Sequence, residues 1–333
     1  MSLSIIIVNY KTPELLLDCI ASLYKYDCTE TELIIVDNDS RDNTALLLNE
    51  KYPGTIFLQM GYNAGFARAN NAGIKIAKGE IVLLLNSDTL NVNDAVNNCY
   101  KKLENSSFIA AGVQLLNADG SPQISGNFAM KGGLNYLLPL PYVGVFLKWI
   151  ADIFNVQKPN VPNATGTVEV DWINGAFLMV KMHAIKAAGL LDEDFFLYAE
   201  EAEWCSRLKK TGKLCIYGNY NITHLQGESS AAAFKSVGKG YYNLFDKKGL
   251  QIMLSNFVRI RKQFGIGWFL LDLFIYYFTM PVFFIGLFFS SIFFPQTKKY
   301  TFKQMEGFYL NMFKMVKFIP RILVNKPFFY KIL

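Results

Sequence analysis

The sequence predicts an α/β protein built on a Rossmann-like, doubly wound and mainly parallel sheet, followed by a hydrophobic, membrane-associated helical segment. Three observations predict it. Residues 3–115 alternate short continuous apolar runs with longer amphipathic stretches, the pattern of βα units around a parallel sheet. Polar residues gather where those runs end, and open α/β sheets bind ligands beyond the carboxyl ends of their strands. Residues 251–333 hold 17 of the 28 Phe and carry 11 Lys/Arg against 2 Asp/Glu, a net +9.

The apolar runs place strands at 4–8, 33–36, 55–58, 81–85 and 109–113. Thr12-Pro13-Glu14 reads as an N-cap followed by proline at the first helical position, and Ser40 is placed to cap the next helix. Residues 117–166 break the pattern with Pro122, Pro139, Pro141, Pro159, Pro162 and Gly132-Gly133, an irregular insertion. A strand over 167–180 follows, then helices at 183–188 and 200–210 and strands at 214–217 and 221–224. Two domains are expected, 1–250 and the basic tail 251–333.

Composition excludes several classes. With 333 residues, 52% hydrophobic and 18% charged, the chain is neither disordered nor collagen-like. The first 250 residues hold 22 basic and 25 acidic side chains, so the overall +6 belongs to the tail. A basic, Phe-rich tail fits an anionic membrane surface better than nucleic acid. Five cysteines, Cys19, Cys28, Cys99, Cys205 and Cys215, form no CxxC pair, so a disulfide framework is not expected and reducing cytoplasm is the simplest compartment. The apolar run 5–8 is too short for a signal peptide. Residues 265–294 are almost continuously apolar with one charge, Asp272. A span needs roughly 20 residues, so this segment could cross a bilayer once but not twice. Arg259, Arg261 and Lys262 precede it, Lys298, Lys299 and Lys303 follow, and Pro281 lies near its middle. These features favour a kinked re-entrant or interfacial segment over a single span, with both ends cytoplasmic and the protein at the cytoplasmic face of the cell membrane.

Four clusters carry the candidate chemistry. Asp37, in Val36-Asp37-Asn38-Asp39-Ser40 after the second strand, can accept the N3–H of a uracil or thymine ring, with Tyr10 as an aromatic face. In Asn63-Ala64-Gly65 and on to Asn71, a glycine and amide donors near a helix start suit a diphosphate and ribose. Asn86-Ser87-Asp88 ends the strand 81–85, where a carboxylate on a rigid strand end can hold the divalent cation that a departing diphosphate needs. Residues 192–203 crowd six carboxylates, among them Glu200, Glu201 and Glu203. His224 is one of only two histidines. Each cluster also has a plainer alternative: helix capping by Asp39 or Ser40, loop closure at 63–71, a polar cap on a core strand, a helix start with a Glu203–Arg207 pair, and a structural histidine.

Taken in order, SIIIVNY, ELIIVDNDSRDNT, NAGFARANNAGI, LLLNSDT, INGAFLMV, LDEDFFLYAEEAEWCSRL and ITHLQGES resemble glycosyltransferase family 2, in the bacterial rhamnosyl- and galactofuranosyltransferase-like subgroup, over roughly residues 3–250. The resemblance implies a GT-A fold and an inverting transfer from a UDP- or dTDP-sugar to a lipid-linked or oligosaccharide acceptor. It assigns Tyr10 and Asp37 to the base and Asn63, Gly65 and Asn71 to the nucleotide-sugar loop, with Asn86 at the strand end also binding the nucleotide-sugar. Asp88 and His224 would hold Mg²⁺ or Mn²⁺, and Glu201, with Glu200 its neighbour, would be the catalytic base. Two departures stand out. Asn86-Ser87-Asp88 offers one acid where many relatives have two, and Glu201 replaces the commoner Asp. Membrane lipids are expected partners and nucleic acid is not.

Two other functions compete. A nucleotide-sugar binding module without turnover would lack the metal residues or the base, yet Asp88, His224 and Glu201 are all present. A dinucleotide oxidoreductase requires G-x-G-x-x-G after the first strand, where Val8-Asn9-Tyr10-Lys11-Thr12 stands instead.

Overall fold

The computed structural model describes residues 2–26, 31–156, 158–225, 234, 243–293, 296 and 299–332. Cys28, Gln226, Gly227, Phe294 and Lys298 lie outside the described residues.

Four parallel strands form one half of the main sheet: β1 (Leu3–Asn9), β2 (Thr31–Asp37), β3 (Ile56–Gln59) and β4 (Ile81–Asn86), in the order β3-β2-β1-β4. The helices α1 (Pro13–Leu23), α2 (Thr44–Lys51) and α3 (Gly65–Ile76) alternate with them in the chain. Beyond β4 the order continues through β11 (Phe177–Lys181), β6 (Ala110–Leu116) and β12 (Leu214–His224) to β5 (Thr89–Asn91), with β9 (Thr167–Val170) also paired to β12. β11 runs antiparallel to β4 and β6, whereas β6 and β12 are parallel. The α/β, mainly parallel expectation therefore holds.

Continuous apolar runs are explained by burial on both faces. Ile5, Ile7, Leu33, Ile35, Leu83 and Leu85 enter one core, while Ile6, Ile34, Val36, Val82 and Leu84 enter the other. Successive side chains of a strand point to opposite faces, so a strand covered on both sides has no polar position to alternate with.

Several expectations need correction. The stretch 167–180 is three strands, β9, β10 (Trp172–Ile173) and β11, with β10 in a small separate sheet beside β7 (Gly126–Asn127) and β8 (Asn160–Val161). Residues 214–217 and 221–224 belong to one strand, β12, whose register shifts between Tyr217 and Asn221. Ser40 caps no helix: α2 starts later, at Thr44, whose N–H donates to Asp42 Oδ1 at 3.0 Å. Thr12 precedes Pro13 of α1 as expected, but its hydroxyl donates to Asn9 Oδ1 at 3.1 Å and makes no cap bond.

The chain divides into two compact units: 1–128, 159–196 and 200–233 form the first, and 129–158, 197–199 and 234–333 the second. The first also contains α4 (Ala95–Glu104), α6 (Met182–Ala188) and α7 (Glu200–Leu208). In the second, the insertion supplies a short 3₁₀ stretch, Lys131–Leu137, and α5 (Val143–Ile153). The tail supplies α8 (Lys247–Phe264), α9 (Ile266–Phe293), α10 (Phe302–Met315) and α11 (Ile319–Leu323). Asp246 caps α8 by accepting the Gly249 N–H at 2.9 Å, and Thr301 with Gln304 forms a capping box on α10.

α9 is one helix long and apolar enough to cross a membrane. It runs as one helix through Pro281. One stripe, Phe269, Asp272, Leu273, Tyr276, Thr279, Phe283 and Leu287, is buried at helical spacing. Tyr276 Oη donates to the Tyr136 carbonyl at 3.0 Å, and Tyr142 Oη lies 3.0 Å from Ser290 Oγ. Phe274, Phe278, Phe284, Phe288, Phe289 and Phe293 are exposed. The single charge of the segment thus lies on its packed stripe, and the bare face is apolar.

Candidate active site

Register brings the expected residues to one edge. Asn9 pairs with Asp37 across β1 and β2, and Val8 pairs with Asn86 across β1 and β4, so Tyr10, Asp37 and Asn86 share the carboxyl ends of three parallel strands. β12 returns antiparallel to β5 with His224 opposite Thr89, and the Leu225 N–H donates to the Asp88 carbonyl at 2.9 Å. Two residues 136 positions apart in the sequence therefore meet through strand pairing.

Asp88 and His224 are both buried. Nε2 of His224 lies 3.4 Å from Asp88 Oδ1, and this oxygen has no hydrogen-bond partner among the described residues. A buried carboxylate oxygen without a donor is costly unless a proton or cation completes it. Donors on one small divalent ion sit about 3 Å apart, given metal–ligand distances near 2.1 Å, so the pair fits such an ion. No group of three or more His, Cys, Asp or Glu that could hold a metal is found among the described residues; a diphosphate and water would have to complete the coordination. Cys19 lies beside this edge, its Sγ 3.5 Å from Thr89 Oγ1. Burial pushes its thiol up to about 12, so it stays protonated rather than offering a thiolate.

Asp37 is 1% exposed and already engaged: Oδ1 accepts the Ser40 N–H at 2.9 Å and Oδ2 accepts from Asn9 Nδ2 at 3.1 Å. A carboxylate has roughly four acceptor positions, which leaves capacity for a base. Tyr10 is half-buried, with Lys11 Nζ 5.2 Å from its ring centroid.

The 63–71 cluster divides. Asn63 Oδ1 accepts from Asn38 Nδ2 at 3.1 Å and from the Gly65 N–H at 3.2 Å, while Asn38 Oδ1 accepts the Ala64 N–H at 2.7 Å. Asn38 thus clamps this loop to the end of β2; the sequence offers it only as one more polar residue in Val36-Asp37-Asn38. Gly65 is required, though the partner is protein. With φ of +75°, a Cβ here would lie 2.2 Å from the Phe196 carbonyl oxygen. Asn71, expected at the diphosphate, is engaged within the protein. Its Nδ2 donates to the Leu191 carbonyl at 2.9 Å and to Glu193 Oε1 at 3.2 Å, and its Oδ1 accepts the Leu191 N–H at 3.0 Å. Both amide protons are used to hold the acidic loop.

That loop leads into α7. Glu203 is bound bidentately by Arg207, with Nε–Oε1 and Nη2–Oε2 both at 2.8 Å, as the i, i+4 spacing predicts. Glu200 and Glu201, in the first turn of the same helix, are both buried. They follow Tyr198 and Ala199, two consecutive non-glycine residues with φ of 72° and 65°, backbone strain of the kind that collects at functional sites. Glu201 packs on Gly175, where a Cβ would stand 3.4 Å from Glu201 Cγ. The next carbonyl, of Ala176, accepts the Asn86 N–H at 3.1 Å. A short path through Gly175 and Ala176 therefore joins the Glu201 side chain to the strand end that carries Asp88. Gly175 stands in the INGAF run, where only the motif itself hints at its part.

Residues 4–141 match the family described as Glycosyl transferase family 2. The low-salt glycan biosynthesis hexosyltransferase Agl10 of Haloferax volcanii is 27% identical over 213 residues, 62% of each chain. Poly-beta-1,6-N-acetyl-D-glucosamine synthase of Staphylococcus epidermidis is 25% identical over 204 residues, 61% of this chain and 45% of that protein. The matches thus cover less than two thirds of these relatives. Among solved structures, GalNAc-T7 with UDP, GalNAc and Mn2+ superposes with a TM-score of 0.52 at 14% identity, over 81% of this chain and 56% of that one. The likeness is one of fold, the GT-A fold.

Proposed function

We propose, on the premise that residues 4–141 match glycosyltransferase family 2, that the chain moves a sugar, with inversion, from a UDP- or dTDP-sugar to a hydroxyl of a lipid-linked or cell-surface glycan. The observation that carries this reading is the buried Asp88–His224 pair, with an acceptor oxygen left open 3.4 Å from a ring nitrogen.

Tyr10 and Asp37 hold the base, and the loop at Asn63 and the strand end at Asn86 border the sugar diphosphate. Mg²⁺ or Mn²⁺ held by Asp88 and His224 would supply Lewis-acid stabilisation of the leaving diphosphate. Glu201 takes the proton of the acceptor hydroxyl as its oxygen attacks C1 of the sugar. A new C1–O bond forms while the C1–O bond to the diphosphate breaks, and the electron pair leaves with the nucleoside diphosphate. Inversion requires the base and the leaving group on opposite faces of the sugar. Burial of Glu200 and Glu201 in the first turn of α7 limits access of water that would compete as acceptor.

A membrane-bound acceptor is supported by the second unit. α9 bares an apolar face, and α5 exposes Phe146 and Trp149 at 57% and 58%, stacked at 5.8 Å. Apolar faces beside basic segments suit an anionic bilayer surface, at the cytoplasmic face of the membrane in this reading.

The test is incubation of the protein with Mg²⁺ or Mn²⁺ and a panel of UDP- and dTDP-sugars, scoring release of the nucleoside diphosphate. Cation-dependent release from at least one donor is expected. Binding of a donor without release, in the presence of acceptor lipid extract, would favour a binding module.

A further inference from the structure

Gln123 has no part in the chemistry above, yet it touches the site. It follows a turn after β6 and is brought back along that strand: Leu116 bridges to Pro122, and the Gln123 N–H donates to the Leu115 carbonyl at 2.8 Å. Its side chain is buried. One end of the amide faces three oxygens, the His224 carbonyl at 2.6 Å, Asn117 Oδ1 at 2.8 Å and the Leu116 carbonyl at 3.3 Å. Asn117 is oriented independently, because its own Nδ2 donates to Ser121 Oγ at 2.8 Å. Only an NH₂ group is compatible with three acceptors, so the opposite end must be Oε1.

Oε1 lies 3.0 Å from His224 Nδ1. An acceptor there requires the proton on Nδ1. A neutral imidazole carries a single ring proton, so Nε2 keeps its lone pair, and Nε2 is the atom facing Asp88 Oδ1. We propose that Gln123 is a positioning residue that locks His224 in its Nδ1–H tautomer and turns the Nε2 lone pair towards the cation of the sugar transfer; this rests on the cation reading above. Without Gln123 the ring proton is free to move to Nε2, where Asp88 Oδ1 would accept it. The two donors would then satisfy each other and close the cation site.

The experiment uses the full chain. The protein has only two histidines, and His183→Gln leaves the His224 ring as the single source of imidazole signals in a ¹⁵N-labelled, metal-free sample. The Nδ1–H pattern is expected with Gln123 present and the Nε2–H pattern in Gln123→Met. Mn²⁺ titration followed by electron paramagnetic resonance should show roughly 10- to 100-fold weaker binding in Gln123→Met, the usual cost of losing such a partner. An Nε2–H pattern in the protein that retains Gln123, or equal Mn²⁺ affinity in Gln123→Met, overturns the proposal. Should the unsubstituted protein bind no Mn²⁺ at all, the cation reading fails separately, and the tautomer pattern still decides what Gln123 does.

Discussion

The end of β4 and the polar face of α3 look alike in sequence, each a small polar cluster, and they are used in opposite ways. At α3, Asn71 completes both of its amide donors and its acceptor within the chain. Just past β4, Asp88 Oδ1 has no hydrogen-bond partner among the described residues. A polar side chain whose bonds close on its own protein is architecture. One held open at a cost in free energy marks the place where something from outside is needed.

Substitutions sharpen this contrast because the two regions should fail differently. The largest effect is expected at Asp88→Asn. Loss of the carboxylate removes several kcal/mol of leaving-group stabilisation, on the order of 10³-fold in turnover, while the melting temperature holds or rises because a buried open charge is gone. Unchanged turnover would transfer Asp88 to the architectural class. Asn71→Ala should do the reverse. It leaves the Leu191 N–H and carbonyl without their partner, costing about 2–3 kcal/mol of stability, with turnover per folded molecule close to that of the parent. A denaturant titration beside steady-state kinetics separates the two outcomes.

Much of the fold was legible. The five apolar runs of the first 115 residues all became strands within one to three residues of their expected ends, because burial on both faces leaves a pattern that no helix of that length shares. The pieces of 167–180 were not legible as three strands, since continuity in hydrophobicity does not reveal which sheet each residue joins. At the site, Asp88 and His224 were identified by motif, and strand pairing brings them together. What sequence could not show is hydrogen-bond closure. Asn71 and Asp37 are equally polar on paper, yet one has both amide donors used while the other retains acceptor capacity. Gln123 gave no signal at all, because its importance arises from a turn that folds it onto His224. Helix capping by Ser40 failed for a related reason: its hydroxyl accepts the Lys11 N–H at 2.9 Å and joins the ends of β1 and β2 instead.

The second unit teaches the complementary lesson. Pro281 pointed to a kink, and α9 carries it inside one continuous helix with one stripe packed and the other bare.

The central claim is that an acid from the second half of the chain works across the sugar from the Asp88 cation site. Turnover of Glu201→Gln against Glu200→Gln, with nucleotide affinity measured on the same samples, tests it most directly. Glu201→Gln should lower turnover by about 10²- to 10⁴-fold and leave nucleotide binding intact, with Glu200→Gln milder. Full turnover in Glu201→Gln beside a dead Glu200→Gln would move the base to Glu200, and full turnover in both would contradict the claim.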